Sequence, residues 1–304
     1  MNAYKPLPTT IPAYLAQLRE ALAGADPALI QDALYDAEEY LRSELAEHPG
    51  QSEAEVIAAV AGSYGAPEEV ADIYRDTEAR VQTALRPPAP PPRESLPGRF
   101  FGVAADPRTY GAMFYAILAL ATGLFYFIWV VAGISMSLGL SAIIIGVPFV
   151  ILFLGSVRLL SLVEGRIVET MLGERMPRRP LYADRDRPVL ERIKEVFIDP
   201  RTWSTLVYML AMLPLGLLYF TLTVALLATS LGLTVAPLLI VFGAFDGWSV
   251  DGWYGYWEPS TILGAWELPI AFACGVLLLF ATLHLLRGIG KVHGAIAKQL
   301  LVKA

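Results

Sequence analysis

The chain has 304 residues, of which 55% are hydrophobic and 17% are charged, and its formal net charge is −6. Such an apolar composition excludes an ordinary soluble globule and predicts a membrane protein. A single cysteine, Cys274, excludes a disulfide framework and a cysteine-rich metal site.

Charge is divided unevenly along the chain. Residues 1–86 hold six Lys and Arg against fifteen Asp and Glu, whereas residues 87–304 hold 17 against 14. The first ten residues lack the pattern of a signal peptide, so we expect the N-terminus to stay in the cytosol. We therefore predict a cytosolic acidic helical domain over residues 1–86, a Pro-rich linker over 87–98, and a membrane domain over 99–304.

The acidic domain shows the spacing of a small helical unit. Apolar residues recur one turn apart over residues 14–22, and a proline opens a second helix at Pro27. Start signals at residues 52–55 and 66–69 open a third and a fourth helix. The sequence predicts four short helices around one core.

Three motifs in this domain resemble the HAAS signalling family. They are a leading Tyr14-Leu15 with Leu18, an acidic and aromatic second helix around residues 36–40, and a Gly-x-Pro-Glu-Glu turn at residues 65–69. The resemblance implies signalling through a cytosolic protein partner, such as a transcription regulator or a kinase, without direct nucleic-acid binding. It leaves a homo-oligomer open.

The second helix carries the candidate partner-facing residues. They are Asp32, Asp36, Glu39 and Tyr40. An acidic face of this kind suits a basic partner, because complementary charge steers association. The alternative is an acidic face that is only solvated. The carboxylates lack calcium-loop spacing and nearby His ligands, so we expect no metal site and no cofactor.

Four apolar runs are long enough to cross a hydrocarbon core of about 30 Å as helices. They cover residues 110–133, 139–163, 204–229 and about 266–288. Residues 134–138 predict a tight turn between the first two runs, and residues 233–242 form an apolar piece too short to span. The predicted fold class is all-α, with a small cytosolic helical domain and a four-helix transmembrane bundle.

The tetrapeptide Asp-Pro-Arg-Thr occurs at residues 106–109 and again at 199–202, each time before an apolar run. Asp before Pro is a helix-start signal, so Asp106 and Asp199 are predicted helix caps. Further identities share the same offset of 93 residues. We interpret the membrane domain as two parallel helical-hairpin repeats, about 106–173 and 199–301.

Lys and Arg residues predict the orientation. Nine of them lie over residues 165–202 and four lie in the C-terminal tail, whereas residues 243–267 have none. Short cytoplasmic loops are enriched in these residues. We therefore expect a multi-pass membrane protein, with both termini in the cytosol and residues 243–267 outside.

The predicted outer loop is rich in aromatic residues between glycines and carboxylates. Its candidate ligand-facing residues are Trp248, Asp251, Trp253, Tyr254, Tyr256, Trp257 and Glu258. Flat rings beside carboxylates suit a ligand or an envelope component. The alternative is an aromatic belt at the membrane interface, which needs no ligand.

Residues from about 100 to 301 resemble a bacterial membrane domain named "putative sensor", found at the head of histidine kinases or as a stand-alone protein. The resemblance is carried by residues 146–149, 158–173, 214–217 and 293–301. It implies a sensing role at the bacterial inner membrane. No kinase core follows, so we expect the output to pass through another part of the chain or another protein.

Recognisable catalytic motifs are missing from the sequence, including a Gly-rich phosphate loop, His-Glu-x-x-His and a nucleophile elbow. We expect no enzymatic activity. The sequence favours an integral membrane sensor that couples an envelope or membrane cue to a cytosolic partner through the N-terminal domain. Two alternatives stay open. One is a transport or lipid-handling component, since some transporters contain parallel repeats, and the other is a membrane scaffold or anchor.

Overall fold

A computed structural model defines the fold. It describes residues 6–85, 95–140, 146–179, 194, 197–242, 250–252, 255–257 and 266–302.

Four helices form the N-terminal part, as the sequence predicts. They are α1 (Ile11–Ala21), α2 (Pro27–Glu47), α3 (Glu53–Ser63) and α4 (Pro67–Leu85). The side chains of Thr10, Asp26 and Ser52 accept backbone N–H groups at the starts of the first three helices. Ser52 and Glu55 form a capping box. These caps satisfy first-turn donors that have no partner within the helix.

The N-terminal helices enclose a hydrophobic core of their own. Its largest fully buried side chains include Tyr14 and Leu18 of α1 and Leu22, the residue that caps its C-terminal end. Every buried member of the cluster belongs to residues 11–71. The Tyr14 hydroxyl donates to the carbonyl of Gly65 at 2.7 Å, which satisfies the polar end of a buried ring. Among the residues that the structure describes, the membrane helices therefore contribute no buried member to this core.

A six-residue helix, α5 (Leu96–Phe101), and a 3₁₀ turn (Gly102–Ala105) lead into the membrane part. Residues 87–94 of the predicted linker lie outside the described residues. The last residues of that linker, 96–98, already belong to α5. The chain is thus helical before its first long apolar helix.

Four further helices are long and apolar enough to cross a membrane. They are α6 (Pro107–Leu140), α7 (Gly146–Leu172), α8 (Pro200–Val241) and α9 (Glu267–Leu301). Only 11% to 28% of their most apolar windows is buried within the protein, and large side chains such as Phe114, Leu152 and Leu277 face outward. Such surfaces need a lipid solvent. The all-α class is confirmed, and the chain is a multi-pass membrane protein.

The helices extend beyond the apolar runs that predicted them. Residues 134–138, predicted as a tight turn, lie inside α6, so that prediction is wrong. The apolar piece that starts at residue 233 continues α8 as far as Val241. In a membrane no water competes for backbone groups, so an apolar stretch gains by continuing the helix. With 42 residues, α8 is about 63 Å long, roughly twice the thickness of a hydrocarbon core.

A short hairpin lies between α8 and α9. Its strands are β1 (Val250–Gly252) and β2 (Gly255–Trp257). They pair antiparallel, with Asp251 opposite Tyr256 and Val250 opposite Trp257. It is the one sheet among the described residues, and it falls within the predicted outer loop.

Contacts divide the chain into two compact units. The first holds residues 1–89, 129–208 and 294–304, and the second holds residues 90–128 and 209–293. The first unit therefore contains the N-terminal helices together with all of α7, the start of α8 and the end of α9.

Within the second unit, α6 and α8 approach each other at two glycines. A Cβ added to Gly123 would overlap the carbonyl group of Met212, and one added to Gly216 would overlap the carbonyl group of Ala119. Glycine lets two helix backbones touch at such points. The two contacts correspond to each other across the repeat. Gly123 and Gly216 are 93 positions apart, and so are the residues whose carbonyl groups they meet, Ala119 and Met212. The predicted duplication would produce this correspondence, and it stays a prediction.

Candidate functional site

Asp32 of α2 lies at the centre of a polar cluster in the first unit. The residue is 5% exposed. Its Oδ1 accepts the backbone N–H groups of Arg178 at 2.7 Å and Arg179 at 2.9 Å, and its Oδ2 accepts the guanidinium of Arg175 at 3.0 Å. One buried carboxylate therefore holds three groups of the segment that follows α7.

The guanidinium of Arg175 is enclosed between two acidic residues. It also lies 3.0 Å from Glu78 of α4, and its side chain is only 10% exposed. Burial raises the pKa of Asp32, while its hydrogen bonds with the two backbone N–H groups and the charge of Arg175 act in the opposite direction. Desolvation thus offsets part of the attraction, and the pair depends on all its partners staying in place.

Arg179 extends the contact by one turn of α2. Its Nε lies 3.0 Å from Asp36 Oδ1, and its guanidinium lies 5.6 Å from the centre of the Tyr35 ring. Its carbonyl accepts the side-chain amide of Gln31 at 2.7 Å. We call residues 173–179 the docking segment. The docking face consists of Gln31, Asp32, Tyr35 and Asp36 of α2 together with Glu78 of α4.

Two further helices reach the N-terminal half of α2. Arg201, in the first turn of α8, donates to the side-chain oxygen of Gln31 at 2.7 Å. Lys298, in the last turn of α9, pairs with Asp26, the N-cap of α2. The docking segment itself follows α7. Helix α2 therefore contacts the chain at or next to one end of three of the four candidate membrane helices.

The local sequence explains how the docking segment is held. Gly173 ends α7 with a φ of +75°, a conformation that favours glycine. Met176 is fully buried next to Gly165 of α7. Arg166 of α7 donates to the carbonyl of Pro177 at 3.1 Å. The segment is thus fastened to α7 on one side and to α2 on the other.

The four predicted partner-facing residues lie in three different environments. Asp32 and Asp36 contact the docking segment of their own chain, whereas Tyr40 stacks on Tyr64 with ring centres 4.7 Å apart. Glu39 is exposed. Binding of a separate protein by these residues stays a prediction, but the face already has an occupant in this structure.

Sequence reasoning missed that occupant. Composition assigns Arg175, Arg178 and Arg179 only to membrane orientation, and it gives no role to Gln31. The signal that points to them is charge complementarity, because an acidic helix and an arginine-rich segment are predicted on the same side of the membrane. That signal selects a region and not a residue pair.

The predicted ligand-facing residues are only partly described. Trp248, Trp253, Tyr254 and Glu258 lie outside the described residues. The backbone of the hairpin places Asp251 opposite Tyr256, and it places Trp257 opposite Val250. A carboxylate residue and an aromatic residue are therefore in register, and ligand binding there stays a prediction.

Asp106 and Asp199 lie at the starts of α6 and α8. The Oδ1 of each accepts the backbone N–H two residues further on, at 3.0 Å and 3.1 Å. Each carboxylate also pairs with an arginine from another helix, Asp106 with Arg287 at 2.8 Å and Asp199 with Arg158 at 3.1 Å. Each aspartate therefore joins a helix start to a second helix.

Replacing Asp106 or Asp199 by Ala is expected to lower the free energy of unfolding by about 1–2 kcal/mol, because first-turn N–H groups lose their acceptor. Asn keeps an oxygen acceptor, so Asp→Asn at either position is expected to lose less. Thermal unfolding of the purified protein in detergent measures both. Equal losses for Ala and Asn would assign the effect to the pairing with arginine instead of the cap.

Two family models match the chain. A model described as "Putative sensor" matches residues 115–301, and a model described as HAAS matches residues 13–73. A search of curated proteins and a search of solved structures each find no match. The contact between the docking face and the docking segment, which we call the docking contact, joins the two matched regions. Helix α2 lies in the HAAS match, and the docking segment lies in the sensor match. The sensor match covers more than half of the chain, so this protein is a member of the "Putative sensor" family that carries an N-terminal HAAS domain.

Proposed function

We propose that this protein senses a cue in the membrane or envelope and passes it to a protein partner through its HAAS domain. The observation that supports this most directly is Asp32, whose carboxylate binds the segment directly after α7. A shift of α7 would move Arg175 and the N–H groups that Asp32 binds. The contact therefore links α2 to a candidate membrane helix.

The docking contact is suited to two alternative states. The desolvation free energy of a buried ion pair offsets much of the attraction between its charges, and separated charges regain their hydration in water. The docked and released states can therefore be close in free energy. Arg201 and Lys298 give α8 and α9 contacts with the same helix, so three membrane helices can bias one equilibrium. The docked state hides Asp32 and the released state exposes it, and a partner that binds only one state shifts the population.

The proposal includes an orientation. We place the HAAS domain, the docking segment and both termini in the cytosol, at the bacterial inner membrane, because basic residues gather around residues 165–202 and are missing from 243–267. A cysteine at exposed Glu39, in a Cys274→Ala background, should then react with an impermeant thiol reagent only in opened cells.

We propose no catalytic step and no cofactor. Among the residues that the structure describes, no three His, Cys, Asp or Glu side chains are grouped so as to hold a metal ion. The sequence also lacks recognisable phosphate-binding and nucleophile motifs.

One observation favours transport as a second candidate function. In the second unit, the Tyr115 hydroxyl bonds one ring nitrogen of His293, and the other ring nitrogen lies 3.4 Å from the Tyr219 hydroxyl. All three residues are buried, and polar groups inside membrane helices often line a pathway. His293 lies nearer the end of α9 at Leu301 than its middle. We therefore favour sensing.

Hydrogen exchange at the backbone N–H groups of Arg178 and Arg179 tests the proposed coupling. Short-chain and long-chain phosphatidylcholine vesicles differ in hydrocarbon thickness, which forces membrane helices to tilt or shift. We expect exchange at these two amides to differ by about five- to tenfold between the vesicles, the size of a weak allosteric coupling. Exchange around Tyr14, in the HAAS core, should stay equal.

The matched control for this experiment is Glu39→Ala, which alters an exposed residue of the same helix. It should behave as the wild type does. If exchange at Arg178 and Arg179 is identical in both kinds of vesicle, the membrane helices do not act on the docking contact and the proposal fails.

A further inference from the structure

The docking face holds a peptide segment of its own chain, and this occupant shows what the face can bind. Two consecutive backbone N–H groups, of Arg178 and Arg179, converge on a single oxygen of Asp32. Gln31 donates to the carbonyl that follows, at 2.7 Å. These three bonds recognise a backbone and make no demand on the side chains. The face is therefore built to hold a peptide.

Two arginines of the docking segment supply the side-chain selection. Arg175 lies between Asp32 and Glu78, each at 3.0 Å. Arg179 combines a carboxylate, Asp36, with the ring of Tyr35. A planar guanidinium can pair with carboxylates and stack on an aromatic ring, which the compact charge of lysine does less well. The face thus selects two arginines four positions apart in a non-helical peptide.

The hydrophobic core of the HAAS domain contains no residue of the docking segment. Every buried member of that core lies within residues 11–71, so the docking segment adds none. The docking segment is attached to α2 and α4 by hydrogen bonds and ion pairs. It can therefore leave, and another peptide can enter, while α1 to α4 remain folded.

We propose that the docking face is a binding site for a basic segment of a partner protein, with two arginines four positions apart, and that the docking segment occupies this site until the partner displaces it. The inference rests on the proposed function, which requires a partner without saying how it is recognised. The proposal is supported by the bound docking segment, because its contacts show how the face binds a peptide.

The covalent connection of the docking segment to the site favours it over a separate basic peptide. The docking segment belongs to the same chain as the site, so its binding is intramolecular and its effective concentration is high. A separate basic peptide competes poorly while α7 holds the docking segment in place. Once a cue on the membrane helices withdraws the docking segment, the same peptide binds with its intrinsic affinity. The site is closed at rest and opens after the cue.

The probe is a fluorescent peptide with the sequence of residues 173–180, Gly-Glu-Arg-Met-Pro-Arg-Arg-Pro, and the receptor is the full-length protein in nanodiscs. The double variant Arg175→Ala/Arg179→Ala weakens the internal occupant, so it should bind the probe at least about tenfold more tightly than the wild type. Adding Asp32→Ala should abolish that binding. Adding Glu47→Ala, which alters an exposed residue at the far end of the same helix, should leave it unchanged.

A second measurement uses the wild type alone and does not depend on a variant that folds. Excess unlabelled probe should displace the docking segment and raise hydrogen exchange at the amides of Arg178 and Arg179. A scrambled peptide of the same composition should not. Because both peptides carry the same charge, the comparison separates recognition of the arginine spacing from simple attraction.

Three results would overturn the inference. They are equal affinity of the wild type and the double variant, equal binding of the scrambled peptide, and a dimer that the wild type forms and the double variant does not. The dimer would assign the face to the docking segment of a second copy. Bilayer-dependent exchange at Arg178 and Arg179 would survive each of these results, so failure here is distinguishable from failure of the proposed function.

Discussion

Asp32→Ala is expected to release the docking segment from α2, with a loss of about 3 kcal/mol in the docking equilibrium, or roughly a hundredfold. The substitution removes the acceptor of two backbone N–H groups and one of the two carboxylates that enclose Arg175. The arginine side chain, only 10% exposed, keeps its charge and is left with Glu78. A buried charge that has lost a partner is more stable in water, so the substitution raises the population of the released state.

Trypsin measures this release at the bond between Arg175 and Met176. The protease needs an accessible arginine and a mobile backbone, so cleavage tracks the population of the released state. We expect cleavage of Asp32→Ala to be about a hundredfold faster than cleavage of the wild type. Asp32→Asn keeps an oxygen for the N–H groups but loses the charge, and it should fall between the two.

Glu39→Ala is the matched control. It removes a carboxylate from the same helix, but Glu39 is exposed, so cleavage should proceed at the wild-type rate. If Asp32→Ala and Glu39→Ala are cleaved equally fast, Asp32 does not hold the docking segment, and the link between α2 and α7 loses its main support.

Gly216→Ala is expected to destabilise the second unit by about 1–3 kcal/mol, because the new methyl group would overlap the backbone carbonyl of Ala119 on α6. A backbone atom cannot rotate away as a side chain does, so the two helices must separate. Gly123→Ala should lose a similar amount, since its methyl group would overlap the carbonyl of Met212. Thermal unfolding in detergent, followed by tryptophan fluorescence, measures both losses.

Gly232→Ala gives the matched control within the same helix. Nothing lies within 4 Å of a Cβ added at Gly232. Alanine is a better helix former than glycine by about 1 kcal/mol, so this variant should be neutral or more stable. A loss at Gly232 as large as that at Gly216 would show that helical glycines matter here for a reason other than close approach of α6 and α8.

The docking contact lies between the sensor-family membrane domain and the HAAS domain. The contact connects the two matched regions through named atoms, and Arg201 and Lys298 bring two more membrane helices to the same end of α2. In the proposed function, coupling between the membrane helices and a partner depends on whether the docking segment is bound to the docking face.

Local signals in the sequence determined much of this protein. Apolar runs predicted the four membrane helices, and helical spacing with capping residues predicted the four helices of the HAAS domain. These signals act over a few residues, because a cap satisfies the next turn and hydropathy reports the solvent of its own segment. The predicted turn at residues 134–138 failed, since a helix in lipid continues wherever its backbone stays hydrogen-bonded.

Only the tertiary structure decided which distant groups meet. Asp32 and Arg175 are 143 residues apart, and no local pattern says which of the 23 basic residues a given carboxylate will bind. The same is true of close approach: Gly216 and Gly232 lie in one helix and look alike in sequence, yet only Gly216 touches another backbone. Burial of a charge and the absence of room for a methyl group depend on segments far apart in the chain, so they are settled by packing.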